Sequence, residues 1–283
     1  MAGTLFAWMR RGGLCAALLG RLAMPALAQS DETWTSLKPD IFGGRAIADG
    51  GDILAIDAPV RAEDAAVVPV TVHALKPQAG ESAIKAITLV VDENPAPVAA
   101  TISFGPGAAS ASFSTRLRVN SYSYIRAIAE MSDGSLRMAK RFVKASGGCS
   151  APALKDADQS LAEIGQLKLR QFAGAEEPAK DYALDPGDAG AVEAQLMIRH
   201  PNYSGLQMDQ LSMLYIPAHF VRHIELKRGE AQVFKMDGGI SLSENPSFRF
   251  VFRKEGAGDL SVEAVDTKDS VFTKSWPVER PAS

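Results

Sequence analysis

The sequence predicts an all-β protein made of two immunoglobulin-like β-sandwich domains. Short apolar runs, most of them alternating with polar residues, recur along the chain, and glycine, proline or asparagine separates them. Seven such runs fall within about 95 residues of the first half, a spacing typical of a sandwich. Six more follow a segment rich in Ala, Gly, Pro, Asp and Glu, so the strands form two groups.

The first half is expected to open with a short helix within residues 31–48. Asp31 is the candidate N-cap, and Gly43 with Gly44 ends the helix. Apolar residues at near-helical spacing lie between them: Trp34, Leu37, Ile41 and Phe42. The strands are then predicted at residues 53–56, 67–72, 86–91, 98–104, 111–119, 124–130 and 136–144.

The middle of the chain differs from both halves. Asp156 or Asp158 caps a predicted helix, and residues 173–190 have the composition of a solvated linker. The helix would carry Leu161, Ile164, Leu167 and Leu169. Strands resume at residues 192–199, 220–226, 232–235, 248–252, 260–265 and 271–278.

The N-terminus has the pattern of an export signal. Arg10 and Arg11 form a positive region, residues 12–20 are apolar, and residues 26–28 (Ala-Leu-Ala) form a small-x-small cleavage site. The predicted organisation is therefore a signal peptide at 1–28, a first sandwich at 29–149, a helix and linker at 150–190, and a second sandwich at 191–283. Export predicts a periplasmic, oxidising location.

Charge and hydropathy exclude several classes of function. The first 28 residues contain three arginines and no acid, so the chain from Gln29 carries 27 basic and 33 acidic residues, net −6. A nucleic-acid-binding face would need clustered Lys and Arg, which the sequence lacks. No apolar run after the signal is long enough to span a membrane.

Cys149 is the only cysteine left after removal of the signal peptide, so it has no partner for an internal disulfide. In an exported protein, such a thiol indicates intermolecular pairing or a free reactive sulfur. Gly147 and Gly148 precede it, and the flanking residues lack strand alternation, so we expect a flexible arm with an exposed thiol. From Lys144 to Cys149 an extended arm reaches roughly 15–18 Å. The structural alternative is a small buried cysteine.

Other residues give weaker signals. Lys144 and Lys155 lie near the cysteine in sequence and would favour its thiolate. The four histidines, which are His73, His200, His219 and His223, are expected to be ordinary polar or interface residues. One pair four residues apart does not make a metal site, and no phosphate loop or zinc spacing is present. The sequence therefore predicts no catalytic residue, no metal and no cofactor.

Several stretches resemble a known pair of families. Those similar to SoxY, the sulfur-carrying subunit of the periplasmic thiosulfate-oxidising system, are residues 37–45, 62–70, 94–97 and 147–149. Those similar to its partner SoxZ are residues 198–201, 204–206, 216–220 and 243–250. The order along the chain resembles the fused SoxYZ-like carriers associated with quinoprotein dehydrogenases.

The resemblance implies two sandwiches packed as a pair and an arm that carries a covalently bound sulfur intermediate to partner enzymes. Cys149 would be the attachment thiol, and Gly147 and Gly148 the flexible part of the arm. In the family the arm ends in Gly-Gly-Cys-Gly at a free terminus, whereas here Ser150 follows and the chain continues. A tether on both sides converts a swinging tail into a loop.

Three hypotheses follow. The first is a non-enzymatic carrier of a small sulfur species that visits Sox-type or quinoprotein dehydrogenase partners and can pair with a second chain through Cys149. The second is a docking or maturation module for a quinoprotein dehydrogenase in which the cysteine is incidental. The third is a thiol enzyme, which would need a base beside the cysteine.

Overall fold

Two β-sheets and one α-helix make up the part of the chain that the computed structural model describes, residues 31–152, 162–172, 191–210 and 212–278. The predicted all-β fold is confirmed. The predicted signal peptide (1–28) and linker (173–190) lie outside the described residues. Among the described residues, no helix is long and apolar enough to cross a membrane.

The first half contains one helix and eight strands. The helix is α1 (Glu32–Phe42), and Gly43 ends it with a positive φ of 62°. The strands are β1 (Ile47–Asp49), β2 (Leu54–Asp57), β3 (Val68–Ala74), β4 (Ile84–Val91), β5 (Val98–Phe104), β6 (Ala108–Leu117), β7 (Ser123–Met131) and β8 (Leu136–Val143). All seven predicted strands are present, and β1 is an addition.

The second half contains seven strands, six of them predicted. They are β9 (Leu167–Phe172), β10 (Val192–Ile198), β11 (Val221–Arg228), β12 (Ala231–Gly238), β13 (Ser247–Phe252), β14 (Leu260–Asp266) and β15 (Val271–Trp276). The helix prediction is wrong for Leu167 and Leu169, which lie on β9. The two leucines alternate with Lys168 and Arg170, a period of two that suits a strand at a sheet edge. Residues 153–161 of that predicted helix are outside the described part.

Both sheets run through both halves of the chain. The nine-stranded sheet has the order β1-β8-β7-β4-β5-β12-β11-β14-β15, and the six-stranded sheet has the order β2-β3-β6-β13-β10-β9. The halves join where β5 pairs with β12 and where β6 pairs with β13, both antiparallel. The two predicted sandwiches are thus continuous with each other, and one apolar core extends through both.

Phenylalanines line this seam on both sides. Phe104 on β5 is in register with Phe234 on β12, and Phe113 on β6 with Phe250 on β13. The Phe234 and Phe250 rings meet edge to face at 5.2 Å between centroids. Burial of one Phe side chain stabilises a fold by roughly 1.5–3 kcal/mol. This cluster therefore makes the junction between the halves a strongly apolar and stabilising contact.

Helix α1 packs on the nine-stranded sheet through a buried arginine. The Arg126 guanidinium lies 4.6 Å from the centroid of the Trp34 ring and forms ion pairs with Asp92 and Asp31. Asp31 occupies the predicted N-cap position, but its carboxylate makes no cap hydrogen bond. Its two oxygens instead accept from Arg126 and Lys140, which ties the start of the helix to β7 and β8.

Candidate functional site

Cys149 lies shortly after β8, in a turn packed against the body of the protein. We call residues 145–152 the arm. The prediction of an exposed thiol is wrong for this structure, because Cys149 has 0% of its surface exposed. The neighbouring Ser146 and Ser150 are exposed, so the arm is a surface segment that turns its thiol inward. We call this arrangement the docked arm.

Main-chain hydrogen bonds hold the glycines of the arm to the first half. Gly147 N–H donates to Asn120 O at 2.8 Å, and Gly148 N–H donates to Val119 O at 3.1 Å. A Cβ added to Gly148 would lie 2.0 Å from Ala65 O, well inside any normal contact. Glycine is therefore required at this position for close packing, in addition to any flexibility that it gives.

Two side chains of the second half complete the docking. Ser204 Oγ donates to Cys149 O, and Gln207 Nε2 donates to Ala151 O at 3.0 Å. The Gln207 amide oxygen also accepts from Ser204 N–H at 3.0 Å, so the two side chains support each other. The arm thus lies across the junction of the two halves and is held by both.

Arg118 is the cation beside the thiol. It follows β6, is fully buried, and its Nη1 donates to Gly148 O at 3.1 Å. Its Nη2 lies 3.4 Å from Asn202 O in the second half, and its Nε has no hydrogen-bond partner among the described residues. Arg118 could not be found from the sequence, because it is separated from Gly148 by 30 positions and no local pattern indicates their proximity.

The electrostatics keep the docked thiol neutral. Burial raises the pKa of Cys149, and the Arg118 charge offsets part of that rise. Because the thiolate is the nucleophile, the docked thiol is unreactive. Lys144 does not contribute to this pKa, and Lys155 lies outside the described residues. In the described part of the chain no histidine is hydrogen-bonded to the sulfur, so a Cys–His pair is absent there.

A second polar cluster lies in the second half, where His200, His219 and Asp266 bring their ligand atoms within 4.8 Å of one another. His219 Nε2 is 2.8 Å from Asp266 Oδ2, and His200 Nε2 is 3.6 Å from the same oxygen. Asn202 N–H donates to His200 Nδ1, so neutral His200 carries its proton on Nε2. In this tautomer Nε2 of His200 has no lone pair for a metal, and the cluster is a carboxylate facing two imidazoles.

Burial shifts the titration of this cluster. Burial, assisted by the nearby His219, lowers the pKa of His200 to about 4 against the opposing effect of Asp266. Burial also works to raise the pKa of Asp266, but hydrogen bonds from His219, Ser270 and Lys268 outweigh it and bring the pKa to about 2. The carboxylate is therefore ionised and His200 neutral at ordinary pH.

Comparison with protein families identifies the two halves. Residues 38–149 match the family of sulfur oxidation protein SoxY, and residues 185–277 match that of sulphur oxidation protein SoxZ. The chain is a SoxY domain fused to a SoxZ domain. These families are sulfur-oxidation carrier proteins, and the resemblance of the two halves to SoxY and SoxZ, in that order, is confirmed. The SoxY match ends at Cys149, the residue that the SoxZ domain helps to bury.

Solved structures add little to this assignment. The sulfur carrier protein SoxY from Chlorobium limicola f thiosulfatophilum is 25% identical over 40% of this chain and 92% of that chain, with a TM-score of 0.34. A β-glycosidase from Bacteroides vulgatus is 9% identical over 80% of this chain and 24% of that chain, with a TM-score of 0.23. No curated protein matched the chain. The assignment to SoxY and SoxZ therefore rests on the family matches.

Proposed function

We propose that this protein is a periplasmic covalent carrier that holds a small sulfur species on Cys149 and presents it to partner enzymes. The observation that carries the proposal is the tandem SoxY–SoxZ match, whose first part ends at the Gly-Gly-Cys sequence of the arm. The carrier itself performs no turnover and uses no cofactor. Its partners are Sox-type enzymes or, in this fused form, enzymes of a quinoprotein dehydrogenase system.

A docked arm and a carrier function require two states of the arm. Loading needs an accessible thiolate, whereas docking encloses the sulfur and keeps it protonated. The arm must therefore leave the body to exchange its cargo, and the docked state protects the free thiol between visits. It also opposes disulfide pairing of two chains through Cys149, which becomes available only when the arm is out.

Mass spectrometry of the peptide that contains Cys149 tests the carrier function. The protein is purified from its native periplasm without reductant while the pathway runs. We expect a sulfur-containing adduct on Cys149 that reductant removes. Cys149→Ser abolishes pathway turnover, whereas the adjacent Ser150→Ala, a matched surface change, leaves it intact. A clean thiol together with full turnover by the Cys149→Ser variant rejects the carrier function.

A docking or maturation module for a quinoprotein dehydrogenase is the second candidate, because a buried thiol is also the expected state of an incidental cysteine. Three neighbouring side chains of the second half favour a docking role. Met213, Leu214 and Tyr215 are each about two-thirds exposed, an apolar surface of the kind that marks a protein contact. For this candidate, alkylation of Cys149 in the unfolded protein followed by refolding leaves both dehydrogenase binding and activity unchanged.

A further inference from the structure

We propose that Arg118 is an anion-binding residue that holds the negatively charged end of a group attached to Cys149 while the arm lies on the body. This inference rests on the proposed carrier function, and it assigns a second component to the site beyond the thiol. It predicts that an arm with an anionic cargo docks more firmly than an arm with a neutral one.

Arg118 is a buried and incompletely paired cation. Arg118 has no exposed surface, and within the described ranges no carboxylate forms an ion pair with it. Glu244 and Asp64 favour its charge only at longer range, and burial lowers its pKa. A buried charge is unfavourable unless it is paired, so the site is electrostatically complete only when an anion is present.

The Arg118 guanidinium has hydrogen-bonding capacity to spare. Of its three nitrogens, Nη1 donates to the carbonyl of Gly148, Nη2 makes a long contact to Asn202 O, and Nε has no hydrogen-bond partner in the part of the chain that the structure describes. An unsatisfied buried donor in a well-packed structure requires an explanation. Oxyanions match the planar fork of arginine and accept two parallel hydrogen bonds from it.

Arg118 lies close enough to Cys149 for their charges to interact. Cys149 is itself among the groups whose negative charge would favour the charged form of Arg118. An anion attached to its sulfur therefore adds charge at the place where the guanidinium lacks it. Nη1 already donates to the carbonyl of Gly148, the residue before the cysteine, so this side chain holds the arm next to the thiol.

Two synthetic adducts of similar length test the proposal on the full-length protein. Attack of the Cys149 thiolate on tetrathionate forms an S–S bond, leaves Cys–S–S–SO₃⁻, and releases thiosulfate. Attack on methyl methanethiosulfonate forms Cys–S–S–CH₃ and releases methanesulfinate. In both cases the thiol proton goes to solvent, and the products differ in a terminal sulfonate or methyl group.

Amide hydrogen exchange of residues 145–152, measured by mass spectrometry, gives the stability of docking for each adduct. We expect exchange roughly ten- to a hundredfold slower in the thiosulfonate form than in the methyl form, the ratio for a charge-assisted hydrogen bond. Equal exchange in the two forms of the wild-type protein overturns the proposal, and this comparison requires no variant.

Variants assign the effect to one side chain. Arg118→Gln removes the difference between the adducts, and Arg118→Lys retains a smaller one because the charge remains without the fork. If Arg118→Gln fails to fold, Arg118→Lys and the wild-type pair still decide. Arg116→Gln, a change two residues away whose arginine bonds Asn245 O instead, leaves the difference intact. A difference that persists in Arg118→Gln, or disappears in Arg116→Gln, refutes the assignment.

The result is separable from the proposed function. Both adducts are made in vitro, so they report on Arg118 whether or not Cys149 carries cargo in the cell. A clean thiol in the periplasmic protein, together with full pathway turnover by Cys149→Ser, would reject the carrier role without affecting this measurement. Conversely, equal exchange of the two adducts rejects the role of Arg118 and leaves the carrier function standing.

Discussion

Gly148→Ala should expel the arm from its docked position. The added methyl group would lie 2.0 Å from Ala65 O and 2.7 Å from Val119 O. Both are main-chain atoms, and Ala65 O is itself fixed because it accepts a hydrogen bond from Val119 N–H at 2.8 Å. The body cannot move aside as a flexible side chain would, so the arm has to shift by more than 1 Å or leave.

The size of the effect follows from the contacts that such a shift disrupts. A displacement of that size breaks the hydrogen bond from Gly148 N–H to Val119 O and moves Gly148 O away from Arg118. Overpacking at a rigid site costs about 3 kcal/mol at the upper end of its usual range. At 1.36 kcal/mol per factor of ten, the fraction of molecules with the arm out rises about a hundredfold.

Alkylation of Cys149 by iodoacetamide at fixed pH measures that fraction, with the unfolded protein as the upper limit of the rate. The wild-type protein reacts slowly and Gly148→Ala reacts up to about a hundredfold faster. Gly147→Ala is the matched control, since its methyl group meets no atom within 4 Å but its φ of +79° is strained. Strain of about 1 kcal/mol gives roughly a fivefold increase. Equal rates for the wild type and Gly148→Ala would refute the docked arrangement.

Three further predictions concern stability. Asp92→Asn lowers the free energy of unfolding by about 3 kcal/mol, because it leaves the buried Arg126 charge without its enclosed partner. The contribution of His200 to the free energy of unfolding is complete above pH 6.5, and up to about 3 kcal/mol of it is lost as the pH falls toward 4. The reason is that His200 takes up its proton near pH 6.5 in the unfolded chain but only near pH 4 in the folded protein. His200→Gln flattens this decline, which urea denaturation at each pH measures. The unfolding curve followed by Trp34 fluorescence coincides with the curve followed by Trp276 fluorescence, because the two halves share both sheets.

Each of these has a contrary outcome. Glu130→Gln, at the exposed ion pair with Arg45, is the control for the buried pair and changes stability by less than about 1 kcal/mol. A similar small loss for Asp92→Asn contradicts the first prediction. An unchanged pH dependence in His200→Gln contradicts the second. Asp266 does not obscure this test, because its contribution to stability is lost only below pH 3.8, as the pH falls through about 2. Separate midpoints for the two tryptophans contradict the third.

The strands were predictable because their signal is local. Val68–Ala74 alternates buried and partly exposed residues, and its sequence shows the same period of two. Ile47–Asp49 was missed because it has only three residues and pairs in parallel with β8, almost ninety residues further on. The sequence predicts a helix at Leu167 because its three-residue spacing from Ile164 imitates a helical face. In the structure, pairing with β10 at the sheet edge makes this segment a strand instead.

The thiol was also predictable, but its surroundings were not. Gly147 and Gly148 indicated flexibility, whereas the structure uses Gly148 for close approach to Ala65, and sequence alone cannot separate these two uses of glycine. The partners of the arm lie 30 residues before it, at Arg118, and 55 residues after it, at Ser204. Contacts at such separations depend on topology and leave no periodic pattern.

The strand pairs that join the halves also determine how this protein behaves on dilution. Where a SoxY and a SoxZ domain are separate chains, their association depends on the concentration of both, and each can exchange its partner. Here the pairing of β5 with β12 is intramolecular, so the effective concentration of one half for the other is set by the chain that links them. Every thiol therefore has its own Ser204 and Gln207 at any protein concentration, in a fixed ratio of one to one.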